Sequence, residues 1–154
     1  MNEVVIEKKI LVLVNKERRK HGLKPLYSDP TLKRAARSHS QDMMRERFVG
    51  HVNKRGEEPD NRVLKLEPKW MRVLKKVFGY DIGENICEVP IGVVEGYGRV
   101  STPRQVARVA VKSWMNSPGH KELILDYEYT DTGSGVAYDK KRKAYLITQL
   151  FDKK

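Results

Sequence analysis

Of 154 residues only one, Cys87, is a cysteine, so no internal disulfide can form and cysteine-based zinc knuckles are excluded. The longest purely aliphatic run, Ile10 to Val14, is far short of the ~20 apolar residues that span a bilayer. A transmembrane helix is therefore not expected. Met1 to Lys9 shows no basic stretch followed by an apolar one, so no signal peptide is read there. Aromatics make up 8% of the chain and glutamine is scarce. No His-Glu-x-x-His, no Gly-x-Ser-x-Gly elbow and no Walker sequence occurs, and Gly96-Tyr97-Gly98 lacks the third glycine of a dinucleotide loop.

Charge is abundant, at 33% of residues, with 31 Lys plus Arg against 20 Asp plus Glu and a net charge of +11. Such a field draws polyanions, among them acidic surface polymers. The basic residues interleave with acids and carry no stacking aromatics in a nucleic-acid motif, so nucleic acid is not the expected partner. At 39% hydrophobic residues the chain can still bury one core.

Periodicity outlines the elements. Ile6, Ile10, Leu13 and Val14 mark a helix over residues 4–20 that stops at Gly22. Asp29 caps a second helix, with Pro30 in its first turn and Leu32, Ala35, Ala36, His39 and Met43 on one stripe, running to about Arg47. Phe48 to Asn53 reads as a short strand. Residues 61–78 read as helix broken at Glu67-Pro68. Ile82 to Val89 reads as a strand and Pro90 to Gly98 as a loop. Thr102-Pro103-Arg104-Gln105 is a capping box opening a third long helix, and Ser117-Pro118 starts a shorter one ending near Leu125. Gly133 to Asp139 and Ala144 to Phe151 flank the basic turn Lys140 to Lys143 as an antiparallel hairpin. Helices first and a hairpin last predict an α+β domain spanning 1–154.

The histidines are the natural place to look for chemistry. His21 is placed to cap the first helix, and His39 reads as a buried core histidine. His51 and His120 each follow a glycine at the junction of a loop with a regular element. The positive end of the helix after Ser117 is expected to lower the His120 pKa. Glu84 lies between Ile82 and Ile86 on one strand face, where a carboxylate needs a partner or a ligand. Cys87 faces away from it as a small hydrophobe. Spacing alone does not require His51, Glu84 and His120 to meet.

Four segments in register resemble the CAP superfamily of cysteine-rich secretory proteins, venom antigens and plant pathogenesis-related proteins, in its prokaryotic SCP-like branch. They are Phe48-Val49-Gly50-His51 with Gly56 to Val63; Gly83-Glu84-Asn85-Ile86; Trp114 to Leu125; and Gly133 to Tyr138 with Thr148 to Phe151. Leu13 to Arg18 resembles the family's first helix. The resemblance implies a single CAP domain folded as a three-layer α-β-α sandwich with a small antiparallel sheet. It further implies a cavity lined by His51, Glu84, His120, Asn85 and Ser117, with His51, His120 and Glu84 as the ligand set for zinc or another divalent cation.

This chain departs from the family pattern in several places. Ser117 stands where a second acidic residue is expected, Leu146 where many members have their second histidine, and the disulfides are missing. The segment Leu64 to Phe78 is long and is expected to lid or narrow the cavity. With no identifiable nucleophile, the resemblance implies a non-enzymatic binding domain holding a metal, a lipid or a peptide. The alternatives are a metal-dependent peptidase or other hydrolase using Glu84 as base, and a basic surface adhesion module binding acidic polymers. A purely structural pairing of the histidines with Glu84 is the remaining reading. The family is mostly extracellular or at the cell surface, whereas the absence of a visible signal leaves the cytoplasm open.

Overall fold

The computed structural model describes residues 2–154. Its elements are α1 (Asn2–Lys20), β1 (Tyr27–Ser28), α2 (Pro30–Glu46), α3 (Pro59–Leu64), α4 (Lys69–Phe78), β2 (Gly83–Pro90), β3 (Gly92–Val94), β4 (Gly98–Val100), α5 (Pro103–Met115), α6 (Pro118–Ile124), β5 (Asp131–Asp139) and β6 (Ala144–Asp152). The local signals that start the helices work as expected. The Asp29 side chain accepts from Leu32 N at the start of α2, and Thr102 and Gln105 form a reciprocal capping box on α5.

The main sheet runs in the order β1-β5-β6-β2. The β5–β6 and β6–β2 pairs are antiparallel, while β1 adds a short parallel edge to β5. Strand alternation divides β6 between two cores. Leu150 packs with Leu32, Ala35 and Ala36 of α2, together with Val63 of α3 and Ile82. Ile147 and Phe151 pack on the other side with Ile6, Ile10 and Val14 of α1, Val106, Val109 and Ala110 of α5, and Ile124 of α6. The result is the α-β-α sandwich, with α2 on one face and α1, α5 and α6 on the other. Close approach of α2 to the sheet depends on Gly133 and Gly135, where an added Cβ would lie 2.3 Å from Lys33 N and 2.0 Å from Arg37 N.

Two local expectations are corrected, and one short strand is added. Phe48 to Asn53 is not a strand. The chain leaves α2 through Arg47 in a left-handed conformation (φ 54°), and the Asn53 side chain then folds a turn by accepting from Arg55 N and Glu57 N. Pro90 to Gly98 is not merely a loop. Gly92, Gly96 and Gly98, all at positive φ, let β3 and β4 pair as a small separate hairpin. The two-residue β1 is too short to leave a periodic signal in the sequence.

Candidate functional site

β2 is an edge strand of the main sheet. Glu84 pairs with Leu150 and so lies on the α2 side, whereas the next residue, Asn85, pairs with Gln149 and lies on the α1–α5–α6 side. The buried Glu84 carboxylate uses both oxygens. Oε1 meets Nδ1 of His51 at 2.8 Å, and Oε2 accepts from Arg62 Nη2 at 2.8 Å. The Glu84 and Arg62 side chains are only 2% and 4% exposed, while His51 is 52% exposed. A buried charge pair at the base thus carries an imidazole whose other nitrogen is left to the open side.

The loop that presents His51 is held by side chains from two helices. His39 of α2 donates from Nε2 to Gly50 O at 2.7 Å, and Arg62 Nη2 also donates to His51 O at 2.7 Å. Two adjacent carbonyls are therefore clamped, which replaces the ladder hydrogen bonds a strand would have supplied. His39 is fully buried, with its ring edge against Phe48, as expected of a core histidine. His21 is likewise where it was read, its Nδ1 2.9 Å from Glu17 O at the end of α1.

His120 stands in the first turn of α6, half-buried, and its backbone oxygen accepts from Asn85 Nδ2 at 3.1 Å. Asn85 is completely buried and so pins α6 to the edge strand. Ser117 is the N-cap of α6, but its side chain makes no capping bond. Trp114, buried at the end of α5, donates from Nε1 to Ile86 O at 3.1 Å and ties that helix to the same strand. Leu146 is fully buried in the sheet.

The imidazoles respond differently to this setting. Accepting the hydrogen bond of His51, Glu84 raises the His51 pKa above its ordinary value. Burial, and then the charge of nearby His51, lower that of His120. The expected direction for His120 holds, with burial as its largest cause. Burial also lowers the His39 pKa. Cys87, facing the α1–α5 core, has its thiol pKa pushed well up by burial.

Among the described residues, no three His, Cys, Asp or Glu side chains form a group placed to hold a metal ion. What the fold shows is Glu84 engaged by His51 and Arg62, with His120 close enough to feel the charge of His51. Arg62 was missed by sequence reasoning. Its only signal was its place within the Gly56 to Val63 segment, and nothing in the spacing aims it at a residue on β2.

The chain resembles known proteins over nearly its whole length. The uncharacterized protein YkwD of Bacillus subtilis (strain 168) is 36% identical over 132 residues, covering 84% of this chain and 41% of that protein. The uncharacterized membrane protein YlbC of the same organism is 33% identical over 148 residues, covering 96% of this chain and 34% of that protein. This chain thus spans well under half the length of these two relatives. Among solved structures, an extracellular protein containing a SCP domain from Bacillus anthracis superposes with a TM-score of 0.72 at 26% identity, over 99% of this chain and 41% of that one. An outer surface protein of Borrelia burgdorferi shares the fold with a TM-score of 0.73 at 19% identity, over 97% of this chain and 92% of that one. Residues 11–151 match the cysteine-rich secretory protein family, CAP, and the chain belongs to that family.

Proposed function

We propose that the protein is a non-enzymatic binding domain whose ligand sits over the edge of β2, between His51 and His120. The observation that carries this reading is the Glu84–His51 hydrogen bond. A carboxylate on Nδ1 fixes the tautomer and the ring orientation and leaves Nε2 as a lone-pair donor, the arrangement that supports an imidazole bound to a metal. His120 has its pKa lowered and so keeps a neutral ring available. The fit is to a divalent cation such as zinc, held by two imidazoles with positions left for water or for a donor from a bound peptide. Glu84 orients in this reading rather than ligating.

A hydrolytic role is less well supported. A general base needs a free lone pair aimed at a water, and both Glu84 oxygens are engaged by Arg62 and His51. Two relatives of the fold are named as extracellular and outer-surface proteins, which supports a place outside the cell or at its surface for this chain too. No helix is long and apolar enough to cross a membrane among the described residues.

Calorimetric titration of zinc into metal-free protein at neutral pH, repeated with His51→Ala and His120→Ala, tests the reading. Micromolar or tighter binding that both variants lose is the expected result. Absence of binding, or binding that both variants keep, would overturn the metal reading. The histidines would then serve only to tie α2, α6 and the sheet together.

A further inference from the structure

α4 is a helix with no buried residue. It makes no extensive contact with any other helix or strand among the described residues. Apart from the half-buried Met71, its residues nevertheless divide cleanly. Trp70, Val73, Leu74, Val77 and Phe78 share one side and are 62%, 54%, 44%, 69% and 82% exposed. Lys69, Arg72, Lys75 and Lys76 occupy the other side, and the helix contains no acid.

Lys75 fixes which way the helix faces. It is the one cation of α4 turned to the protein body, bonding Glu67 at 2.9 Å and Asp152 at 3.5 Å, with Nζ 4.1 Å from the Tyr80 ring. Residues two positions away along a helix lie about 200° around it. Val73 and Val77 therefore point almost directly outward, with Trp70 beside them and exposed Lys69, Arg72 and Lys76 along the flank. The surface is a convex apolar ridge bordered by positive charge.

We infer that α4 is an interfacial anchor that lays this ridge into the headgroup region of an anionic lipid bilayer. This goes beyond the ligand site at β2 and does not depend on it. A basic polar face opposite Trp, Phe and Leu is the pattern of helices that lie in a membrane surface, their apolar side sunk ~5–10 Å. A fluid surface accepts a convex ridge, and anionic headgroups match flanking cations that have no acidic neighbour on their own helix. A second copy fits poorly. Pairing two such helices sets basic flank against basic flank, and a ridge about 15 Å long falls short of the ~800 Å² per partner of a standard interface.

Tryptophan fluorescence reads the contact directly. Trp114 is buried, so a change on adding vesicles reports Trp70. The probes are vesicles of equal parts phosphatidylglycerol and phosphatidylcholine, and vesicles of phosphatidylcholine alone, at ~0.05 M and ~0.5 M salt. Expected are a blue shift and co-sedimentation with the anionic vesicles, weakened by salt, and little binding to the neutral ones. Val77→Asp combined with Phe78→Asp, both at exposed positions, should weaken partitioning about tenfold or more while leaving the thermal unfolding midpoint in place. Lys69→Gln with Lys76→Gln should reduce the preference for the anionic vesicles. Four results would overturn the inference: no binding to anionic vesicles, equal binding to neutral ones, binding that the Val77/Phe78 variant keeps through the chain's general positive charge, or vesicle-free self-association abolished by that variant.

Discussion

Arg62 and Glu84 form a buried ion pair, 2.8 Å from Nη2 to Oε2, and the same guanidinium nitrogen holds the backbone oxygen of His51 at 2.7 Å. One side chain from α3 thereby fixes both the carboxylate that orients the His51 ring and the loop from which that ring projects. The exposed imidazole inherits its position from a pair that solvent scarcely reaches.

Removing Arg62 should therefore cost more than a surface substitution. Arg62→Ala leaves a buried carboxylate with only the half-exposed His51 as partner and frees the loop carbonyl. Breaking one side of a buried pair costs roughly 3–5 kcal/mol. Urea unfolding at neutral pH should show a loss of that order, and a loss under ~1 kcal/mol would mean that water already satisfies Glu84.

The histidines should titrate in a set order by nuclear magnetic resonance. His51 is expected above the ordinary value of ~6.5, and His39 and His120 below it. Glu84→Gln should bring His51 back toward the ordinary value and leave His39 low. The effect on stability follows from the sign of the shift. A raised folded-state pKa means that the His51–Glu84 pairing contributes fully below ~6.5 and is lost as pH rises through the folded His51 value. The destabilisation by Glu84→Gln should accordingly shrink with rising pH, down to a constant remainder from the lost Arg62 pair. The lowered histidines act oppositely, their contribution falling away as pH drops below ~6.5. A Glu84→Gln penalty that does not vary with pH would separate His51 from Glu84 in solution.

Packing of α2 on β5 gives the third prediction. At Gly135 an added Cβ would sit 2.0 Å from Arg37 N and 2.2 Å from Ala36 C, both backbone atoms. Gly135→Ala must push α2 off the sheet, at about 3 kcal/mol or more by comparison with ordinary overpacking. Gly119→Ala is the control. Nothing lies within 4 Å of its added Cβ, and replacing a helical glycine there is expected to be neutral or to stabilise by up to ~1 kcal/mol. Equal midpoints for the two variants would show that α2 rides high enough on the sheet to leave room for a methyl group at Gly135.

Much of the fold could be read from the sequence because the deciding contacts are local. A cap such as Asp29 to Leu32 N, or the reciprocal Thr102–Gln105 box, is complete within three residues, so composition and spacing specify it directly. The hairpin of β5 and β6 announced itself by alternation across a polar turn, and the buried stripe of α2 by its period. The same local reading went astray where side chains from elsewhere fix the backbone. Phe48 to Asn53 has the apolar content of a strand, but its Gly50 and His51 carbonyls are taken by His39 and Arg62.

The sequence by itself determined the CAP family and, through that family, the α-β-α layering, and it singled out His51, Glu84, Asn85 and His120 but not Arg62, through motifs that keep their spacing along the chain. Only the tertiary structure decided that Glu84 is shared by His51 and Arg62, 33 and 22 residues away respectively, because a side-chain contact depends on how α3 crosses the sheet edge. It also decided the fate of α4. The periodicity of Trp70, Val73, Leu74 and Val77 is the same for a buried helix, a lid or an exposed ridge. What distinguishes them is the inward anchor of Lys75 on Glu67 and Asp152, which turns the apolar side to the outside.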